Sequence, residues 1–352
     1  MRRPSMTEPK KTRVAAVQAS PVFLDLDATV KKAVALTEKA AAKGAETVVF
    51  PETWLPGYPV WASRIPAWRL HEAGRRLFAR LSQNSVEVPS PATEALGRAA
   101  RKAGVNLVMG VNERDADFGR ASLYNTILYF GRDGRLLGKH RKLMPTFHER
   151  VIWAPGDASG LGPHDTSAGR LGGLICWEHW MPLSAYALAA QGEQVHAALW
   201  PSVYGLGEVE GEMVQTASRH YAFQGRSFVV AACGWLEKDE LPRDFELAKE
   251  AREWPDRLLV GGSAIIAPDG RYLAGPSYEG EDILYADLDL TEIPKQKQSL
   301  DIAGHYARPD VFQVTVDRSR RDPLQVTGLE EAESSSPDGE ALRTPRQKAQ
   351  KK

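Results

Sequence analysis

Three residues with reactive side chains stand where short predicted strands end. They are Glu52, Lys142 and Cys176, which offer an acid, an ammonium group and a thiol. Because ligand sites in α/β proteins assemble at the carboxyl ends of strands, these side chains could meet in one site. A cysteine attacks as the thiolate, and a nearby lysine lowers the pKa of a thiol. A carboxylate can take the thiol proton and later activate water, so the set predicts nucleophilic catalysis.

Each of these residues also has an ordinary structural explanation. A cysteine at the end of an apolar strand is more often an inert part of the core. Glu52 follows Pro51 and could cap or solvate a turn, and Lys142 ends the basic run His140–Lys142, which is typical of a solvated surface. Taken singly, none of the three indicates catalysis. The interpretation depends on the segments that surround them.

Those segments resemble the three catalytic segments of the nitrilase superfamily, and they occur in the family's order. They are Phe50–Pro59, His140–Arg150 and Gly172–Leu183. The resemblance covers the whole predicted domain, including Ser218–Ala222 and Gly304–Asp310. The long second and third segments resemble the true nitrilase branch more than the amidases of the superfamily.

The resemblance implies hydrolysis of a carbon–nitrogen triple bond to a carboxylic acid and ammonia. By match to the family segments, Cys176 is the nucleophile, Glu52 the general base, and Lys142 the charge stabiliser or proton donor. Glu149 matches a further glutamate of the site. The implied intermediates are a thioimidate and then an acyl-thioester on the cysteine. The implied fold is an αββα sandwich, in which two packed mixed sheets carry helices on their outer faces.

Aromatic residues near the segments are candidates for the substrate pocket. We expect Trp54, Trp177 and His148 to line it. Trp177 adjoins the expected nucleophile, whereas His148 could either line the entrance or cap a turn. The resemblance is closer to arylacetonitrile hydrolases than to benzonitrile hydrolases in the segment that begins at Cys176, although His179-Trp180 divides the match. This favours arylacetonitriles or longer arylalkyl nitriles as substrates.

Metals and cofactors are not expected. Cys176 and His179 are three residues apart, but no second pair with zinc-like spacing and no His-Glu-x-x-His motif occurs. No glycine-rich run fits a dinucleotide or phosphate fingerprint. The second cysteine, Cys233, ends an apolar run and is predicted to be a buried structural thiol.

Composition excludes several other classes of protein. The 352 residues include 45 basic and 45 acidic side chains, so the net charge is zero and neither nucleic acid nor a membrane surface is an expected partner. Two cysteines cannot form a disulfide framework and favour a reducing compartment. No apolar run is long enough to cross a bilayer, and no secretory signal is evident at the start. We therefore expect a cytoplasmic enzyme.

The strand and helix signals that position the site alternate along the chain, which predicts a buried sheet covered by helices. We predict one domain over residues 12–315, with largely disordered tails at 1–11 and 316–352, where little apolar surface could be buried. The predicted helices are residues 26–41, Thr93–Ala103, Leu183–Ala190 and Met213–Phe223. The predicted strands are Val14–Gln18, Thr47–Phe50, Asn106–Val111, Leu123–Phe130, Leu136–Lys139, Leu171–Cys176, His196–Trp200, Phe228–Ala232, Gly262–Ala267, Tyr272–Ala274 and Ile283–Leu288.

Alternative functions use the same fold. An amidase or a cyanide-degrading nitrilase would use the same glutamate, lysine and cysteine, and a non-catalytic, filament-forming binding protein would require a degraded site. The family resemblance also implies a homo-dimer that builds a larger homo-oligomer, with pairing helices at Leu183–Ala190 and Met213–Phe223. A small-molecule nitrile is the expected substrate.

Overall fold

The computed structural model describes residues 11–64, 72–203 and 209–324. The tails predicted at 1–11 and 316–352 lie mostly outside these residues. Lys11 begins the first strand, and residues 316–324 form neither helix nor strand. No helix in the described part of the chain is long and apolar enough to span a bilayer.

The described residues form fourteen strands and six α-helices. In chain order the strands are β1 (Lys11–Gln18), β2 (Thr47–Val49), β3 (Asn106–Arg114), β4 (Leu123–Phe130), β5 (Leu136–Arg141), β6 (His164–Thr166), β7 (Gly169–Ile175), β8 (Val195–Trp200), β9 (Phe228–Cys233), β10 (Trp235–Glu237), β11 (Arg257–Val260), β12 (Ser263–Ile266), β13 (Tyr272–Ser277) and β14 (Asp282–Asp289). The helices are α1 (Leu26–Ala42), α2 (Glu72–Gln83), α3 (Pro91–Ala103), α4 (Pro182–Ala190), α5 (Val209–Gly225) and α6 (Glu292–Lys297).

Two six-stranded mixed sheets form the centre of the fold. Their strand orders are β14-β1-β2-β3-β4-β5 and β13-β12-β9-β8-β7-β6. The neighbours β1, β2 and β3 are parallel, as are β7, β8 and β9, whereas the outer strands pair antiparallel. Such buried parallel strands explain the continuous apolar runs of the sequence.

Alternate side chains of each strand enter different layers. In β1, Val14 and Ala16 face the second sheet, while Ala15 and Val17 join the core under α1 and α3. The core between the sheets also reaches Leu188 of α4 and Ala217 of α5 on the far side of the second sheet. The layers are therefore helix, sheet, sheet and helix, and the predicted αββα sandwich is confirmed.

Local capping explains where some helices begin and end. The Asp25 side chain accepts the Ala28 N–H at the start of α1. At α3, Ser90 and Thr93 form a reciprocal capping box, and Gly104 ends the helix in the left-handed conformation at φ +67°. All predicted helices and strands are present, although several bounds differ by a few residues.

The structure also contains elements that we did not predict: β6, β10, β11, α2 and α6. Helix α2 buries Ala73, Leu77 and Leu81 in a third apolar cluster, beside β11 residues such as Leu258. Their spacing of four residues was a helical signal in the sequence. Strands β10 and β11 form a separate two-stranded sheet that continues this cluster through Leu236.

Candidate active site

The four residues expected to carry the chemistry meet in one buried site. The Lys142 Nζ lies 3.0 Å from Glu52 Oε1 and 2.7 Å from Glu149 Oε2. One carboxylate oxygen of Glu52, one of Glu149 and the Sγ of Cys176 all lie within 4.8 Å of one another. The ammonium group thus bridges two carboxylates beside the thiol, in a place that solvent barely reaches.

Strand ends and close backbone approach place Glu52 and Lys142. Strand β5 pairs with β4, and the Lys142 N–H continues that pairing by donating to the Asn125 carbonyl at 2.8 Å. Glu52 lies in the turn after β2, where it passes close to β3 at Gly110. A Cβ at Gly110 would lie 2.0 Å from the Pro51 carbonyl oxygen, so only glycine leaves room for this turn.

Cys176 occupies a sharp strand-to-helix turn. It follows β7, begins the short 3₁₀ helix Cys176–Trp180 and has φ +52°. A non-glycine residue in this left-handed region costs about 1–3 kcal/mol, and such strain clusters at functional sites. The backbone N–H of Trp177 favours the thiolate form of Cys176 and so lowers the pKa of its thiol. The turn therefore presents the thiol together with a backbone donor.

The thiol of Cys176 does not rest as a thiolate. Burial raises its pKa, the charges of Glu52 and Glu149 raise it further, and Lys142 and the Trp177 N–H lower it. The net pKa lies well above the ordinary value for cysteine. Lys142 lowers the pKa of the thiol as we expected, but burial and two carboxylates outweigh one ammonium group. A nucleophilic role for this thiol would require a base.

Glu52 has the properties of that base. Its Oε1 accepts the Asn125 Nδ2 at 2.5 Å and the Lys142 Nζ, whereas its buried Oε2 accepts no hydrogen bond from the described residues. Burial, opposed by Lys142 and assisted by the charge of Glu149, raises the pKa of Glu52 to about 8. One oxygen is thus held in place, and the other is left for proton transfer near neutral pH.

Glu149 holds the lysine. It lies on the 3₁₀ helix Phe147–Val151, and its carboxylate accepts hydrogen bonds from the Thr146 N–H at 2.7 Å and the Tyr58 hydroxyl at 3.0 Å besides Lys142. Burial disfavours the ammonium form of Lys142, but the charges of Glu149 and Glu52 outweigh burial and raise its pKa. Lys142 therefore keeps its proton throughout the neutral range.

Glu178 is a buried residue that connects two segments of the site, and we did not predict it as a site residue. Its carboxylate lies 3.1 Å from the His140 Nε2 and accepts the backbone N–H groups of Leu143 and Ile175, both at 2.8 Å. It therefore connects the segment that carries Lys142 to the end of β7, which Cys176 follows directly. The sequence showed Glu178 two residues after Cys176, but nothing local indicated these three donors.

A cavity of about 720 Å³ opens in front of the thiol. Cys176, Glu149, Trp177 and His148 all contribute to its wall, so the placements expected for Trp177 and His148 agree with the structure. The other residues that line it are Tyr58, Ser63, Arg64, Thr146, Phe147, Pro201, Val203, Met213 and Pro255.

Trp54 does not line this cavity. It is buried in the core under α1 and α3, packs on Phe50 with ring centroids 4.9 Å apart, and donates its Nε1–H to the Ala19 carbonyl at 2.6 Å. Thr53, at φ +43°, separates Glu52 from Trp54 and turns the backbone between them. The structure therefore places the aromatic residue Tyr58, not Trp54, at the wall.

The second cysteine lies apart from the site. Cys233 ends β9, is fully buried and takes no part in the cavity wall. Burial, opposed by hydrogen bonds with Ser202 and Ser263, raises the pKa of this thiol to about 12. Cys233 is therefore a buried thiol outside the cavity wall, as we predicted from its apolar run.

Comparison with known proteins agrees with this site. The carbon–nitrogen hydrolase family model matches residues 13–298. The chain is 43% identical over 316 residues to the aliphatic nitrilase of Sinorhizobium fredii (strain HH103), covering 89% of this chain and 98% of that protein. It is 40% identical over 330 residues to nitrilase 1 of Arabidopsis thaliana, covering 92% of each.

Among solved structures, Saccharomyces cerevisiae Nit3, a member of branch 10 of the nitrilase superfamily, matches with a TM-score of 0.66 and 25% identity. The match covers 84% of this chain and 97% of that one. The family match spans most of the chain, and the nitrilase relatives are about 40% identical over nearly their whole length. The chain belongs to the carbon–nitrogen hydrolase family and, within it, to the nitrilases, which hydrolyse nitriles.

Proposed function

We propose that this nitrilase acts on arylacetonitriles or longer arylalkyl nitriles through a covalent intermediate on Cys176, with Glu52 as base and Lys142 as charge stabiliser. One observation supports this assignment above all. The Oε2 of Glu52 is free of hydrogen bonds from the described residues, while its Oε1 is fixed beside the lysine and the thiol lies nearby. The carboxylate that acts as base is therefore positioned before the substrate binds.

The first half of the reaction forms the carbon–sulfur bond. Glu52 takes the thiol proton as the Cys176 sulfur attacks the nitrile carbon, and one carbon–nitrogen π bond breaks toward nitrogen. The Trp177 N–H and the Lys142 ammonium stabilise the charge that develops on nitrogen. Glu52 then returns its proton to that nitrogen, and a neutral thioimidate results.

The second half hydrolyses the thioimidate. Glu52 activates a water, which adds to the carbon and forms a tetrahedral intermediate. Protonation of the amine lets ammonia leave, and an acyl-thioester remains. A second water, activated by the same carboxylate, releases the acid and restores the Cys176 thiol. Expulsion of the thiol instead of ammonia would yield an amide as a by-product.

The contacts favour one of the two roles first considered for Lys142. Since two carboxylates keep it charged, it stabilises negative charge and does not cycle its own proton. Glu149 serves as a positioning residue for Lys142, because it also binds the Thr146 N–H and the Tyr58 hydroxyl. Protons then move through Glu52 alone.

The activity is expected to rise with pH through the region where Glu52 loses its proton. Below its raised pKa of about 8 the side chain is a neutral acid and cannot accept the thiol proton. Nitriles do not titrate, so this acidic limb of kcat/KM belongs to the free enzyme. A pH profile with a simple nitrile measures it. An acidic limb near the ordinary glutamate pKa of 4.5 would contradict the assignment.

The substrate preference is expected to favour phenylacetonitrile over benzonitrile. A methylene lets the ring turn away from the attacked carbon and rest against Trp177 and Phe147, whose rings meet edge to face at the cavity wall with centroids 6.3 Å apart. Aromatic contacts of this kind add roughly 0.5–1.5 kcal/mol beyond area burial, about a factor of two to ten in specificity. A conjugated benzonitrile lacks this hinge and has a less electrophilic carbon.

Ammonia release from phenylacetonitrile, benzonitrile and valeronitrile under one condition tests the preference. Valeronitrile is included because one relative is named an aliphatic nitrilase. The Trp177→Ala variant should lose specificity for phenylacetonitrile more than for valeronitrile, since only the aryl nitrile uses the ring. A clear preference for benzonitrile or valeronitrile in the wild-type enzyme would overturn the aryl assignment. Parallel assays of phenylacetamide and free cyanide address the amidase and cyanide-degrading alternatives.

Assembly into at least a homo-dimer is expected, with larger homo-oligomers built from it. The apolar side chains of Leu183 on α4 and Phe223 on α5 are exposed, and so is Trp180, which precedes Leu183 by three residues. A second copy of the chain could cover these side chains. Light scattering should therefore give at least twice the mass of one chain, and Leu183→Glu should lower it. A monomer at all working concentrations would contradict this proposal.

We also propose that the enzyme works in the cytoplasm. Cys176 and Cys233 are both free and buried, and the chemistry requires Cys176 as a thiol. A reducing compartment preserves that state. Fractionation of the native cells with an activity assay would test this location.

A further inference from the structure

A chain of buried polar side chains runs from the Cys176 backbone away from the cavity. The His179 Nδ1 lies 2.7 Å from the Cys176 carbonyl oxygen, and its Nε2 lies 3.0 Å from the His196 Nε2. The His196 Nδ1 lies 2.9 Å from one oxygen of Glu193, and the Tyr221 hydroxyl donates to the other at 2.6 Å. All of these side chains are buried, and the mechanism above uses none of them.

Hydrogen-bond chemistry fixes the direction of this chain. A carbonyl oxygen only accepts, so the His179 Nδ1 must carry a hydrogen. Burial and the neighbouring His196 lower the pKa of His179 well below its ordinary value, so the ring is neutral and its Nε2 is an acceptor. The His196 Nε2 must therefore donate. The hydrogens on the His196 Nε2 and the His179 Nδ1 therefore both point toward the Cys176 carbonyl.

Packing leaves the two rings little freedom. The His179 ring stacks on Trp200, with centroids 4.7 Å apart and an interplanar angle of 23°. The His196 ring stacks on Tyr221 at 3.7 Å and 27°. Since both rings are fixed by stacking and by hydrogen bonds at each nitrogen, the donor at the Cys176 carbonyl is held in one place.

The peptide at this point also belongs to the reaction centre. A trans peptide is planar, so the Cys176 carbonyl and the Trp177 N–H point in opposite directions from one rigid unit. Holding the carbonyl on one side therefore aims the N–H on the other, toward the sulfur and the developing charge on nitrogen. Donation to a carbonyl also polarises its peptide and strengthens the N–H as a donor.

We propose that His179 is a positioning residue, which holds the Cys176–Trp177 peptide so that its N–H faces the reacting nitrogen of the substrate. The Cys176 carbonyl sets the tautomer of His179, and His196 occupies the other ring nitrogen. The hydrogen bond also offsets part of the strain of the left-handed turn at Cys176. This inference rests on the proposed roles of Cys176 and the Trp177 N–H.

A pair of variants at His179 separates positioning from packing. His179→Asn keeps a nitrogen donor near the place of Nδ1, whereas His179→Leu removes it, and His164→Leu is a matched histidine replacement outside the chain. We expect His179→Leu to lower kcat at least about tenfold, with KM changed less than about threefold, because the contact matters in the transition state. His179→Asn should recover most of the kcat, and His164→Leu should keep it.

The kinetics of the folded variants distinguish the proposal from a purely structural role for His179. If folded His179→Leu keeps kcat within about twofold of wild type, or if folded His179→Asn is as impaired as His179→Leu, the proposal is overturned. If His179→Leu does not fold, the ¹⁵N chemical shifts of histidine-labelled wild-type protein determine which nitrogen of His179 carries the hydrogen. The His179 signals are identified by their absence from the spectrum of His179→Asn. The Nδ1–H tautomer supports the proposal, and the Nε2–H tautomer overturns it. Nitrile turnover by the wild type and its loss in Cys176→Ala report on the proposed function separately.

Discussion

The Cys176→Ala variant is expected to lose nitrile turnover completely while remaining folded. The substitution removes one sulfur atom, and alanine has no group that can form the covalent intermediate. The general base, the lysine and the cavity would all remain in place, so the loss isolates the nucleophile. Ammonia release from phenylacetonitrile measures the activity, and circular dichroism with a thermal midpoint establishes the fold.

Cys233→Ala is the matched control for that variant. This thiol is also buried, but it lies at the end of β9 and outside the cavity wall. It should keep most of the activity, with at most a small loss of stability from the lost packing. Inactive but folded Cys233→Ala together with active Cys176→Ala would show that the nucleophile is wrongly assigned. Iodoacetamide should label Cys176 and inactivate the wild-type enzyme.

The Glu52→Gln variant is expected to lower kcat at least about a hundredfold, the usual scale for loss of a general base. Glutamine has nearly the same shape, and its carbonyl oxygen can accept the hydrogen bonds that Asn125 and Lys142 give to Oε1. An NH₂ group would then take the place of Oε2, which accepts no hydrogen bond from the described residues. That group cannot take a proton from the Cys176 thiol.

The pH profile distinguishes loss of the base from general damage. Residual activity of Glu52→Gln should lack the acidic limb that we assign to Glu52. Glu94→Gln, the same replacement on the exposed face of α3, serves as the control and should match the wild type. A Glu52→Gln enzyme that turns over at a rate near that of the wild type would remove Glu52 from the mechanism.

Much of the site could be predicted from short segments of sequence. Strand endings placed Glu52, Lys142 and Cys176 at the same edge of the sheets, because parallel strands bring their carboxyl ends together. The three family-like segments then distinguished these residues from ordinary core and surface side chains. The helix α2 was missed although Ala73, Leu77 and Leu81 carried its signal.

Other features arise only when distant segments meet. Trp54 stands two residues from Glu52, yet the backbone turn at Thr53 and the core under α1 take its ring away from the cavity. The donors to Glu178 come from two separate strand ends, so no local pattern could indicate that its carboxylate connects them. The direction of the hydrogen bond between His179 and His196 likewise depends on contacts between residues of different elements.

The sequence by itself determined the family, the layered fold and the identities of the reactive side chains, since these depend on residue type and local spacing. Only the tertiary structure decided their protonation states. Lys142 and Glu52 are 90 residues apart in the chain and 3.0 Å apart in the fold. Burial removes water from Cys176 while two carboxylates and one ammonium group surround it, and the balance raises its pKa. Desolvation and charge distance control ionisation, and both exist only after folding.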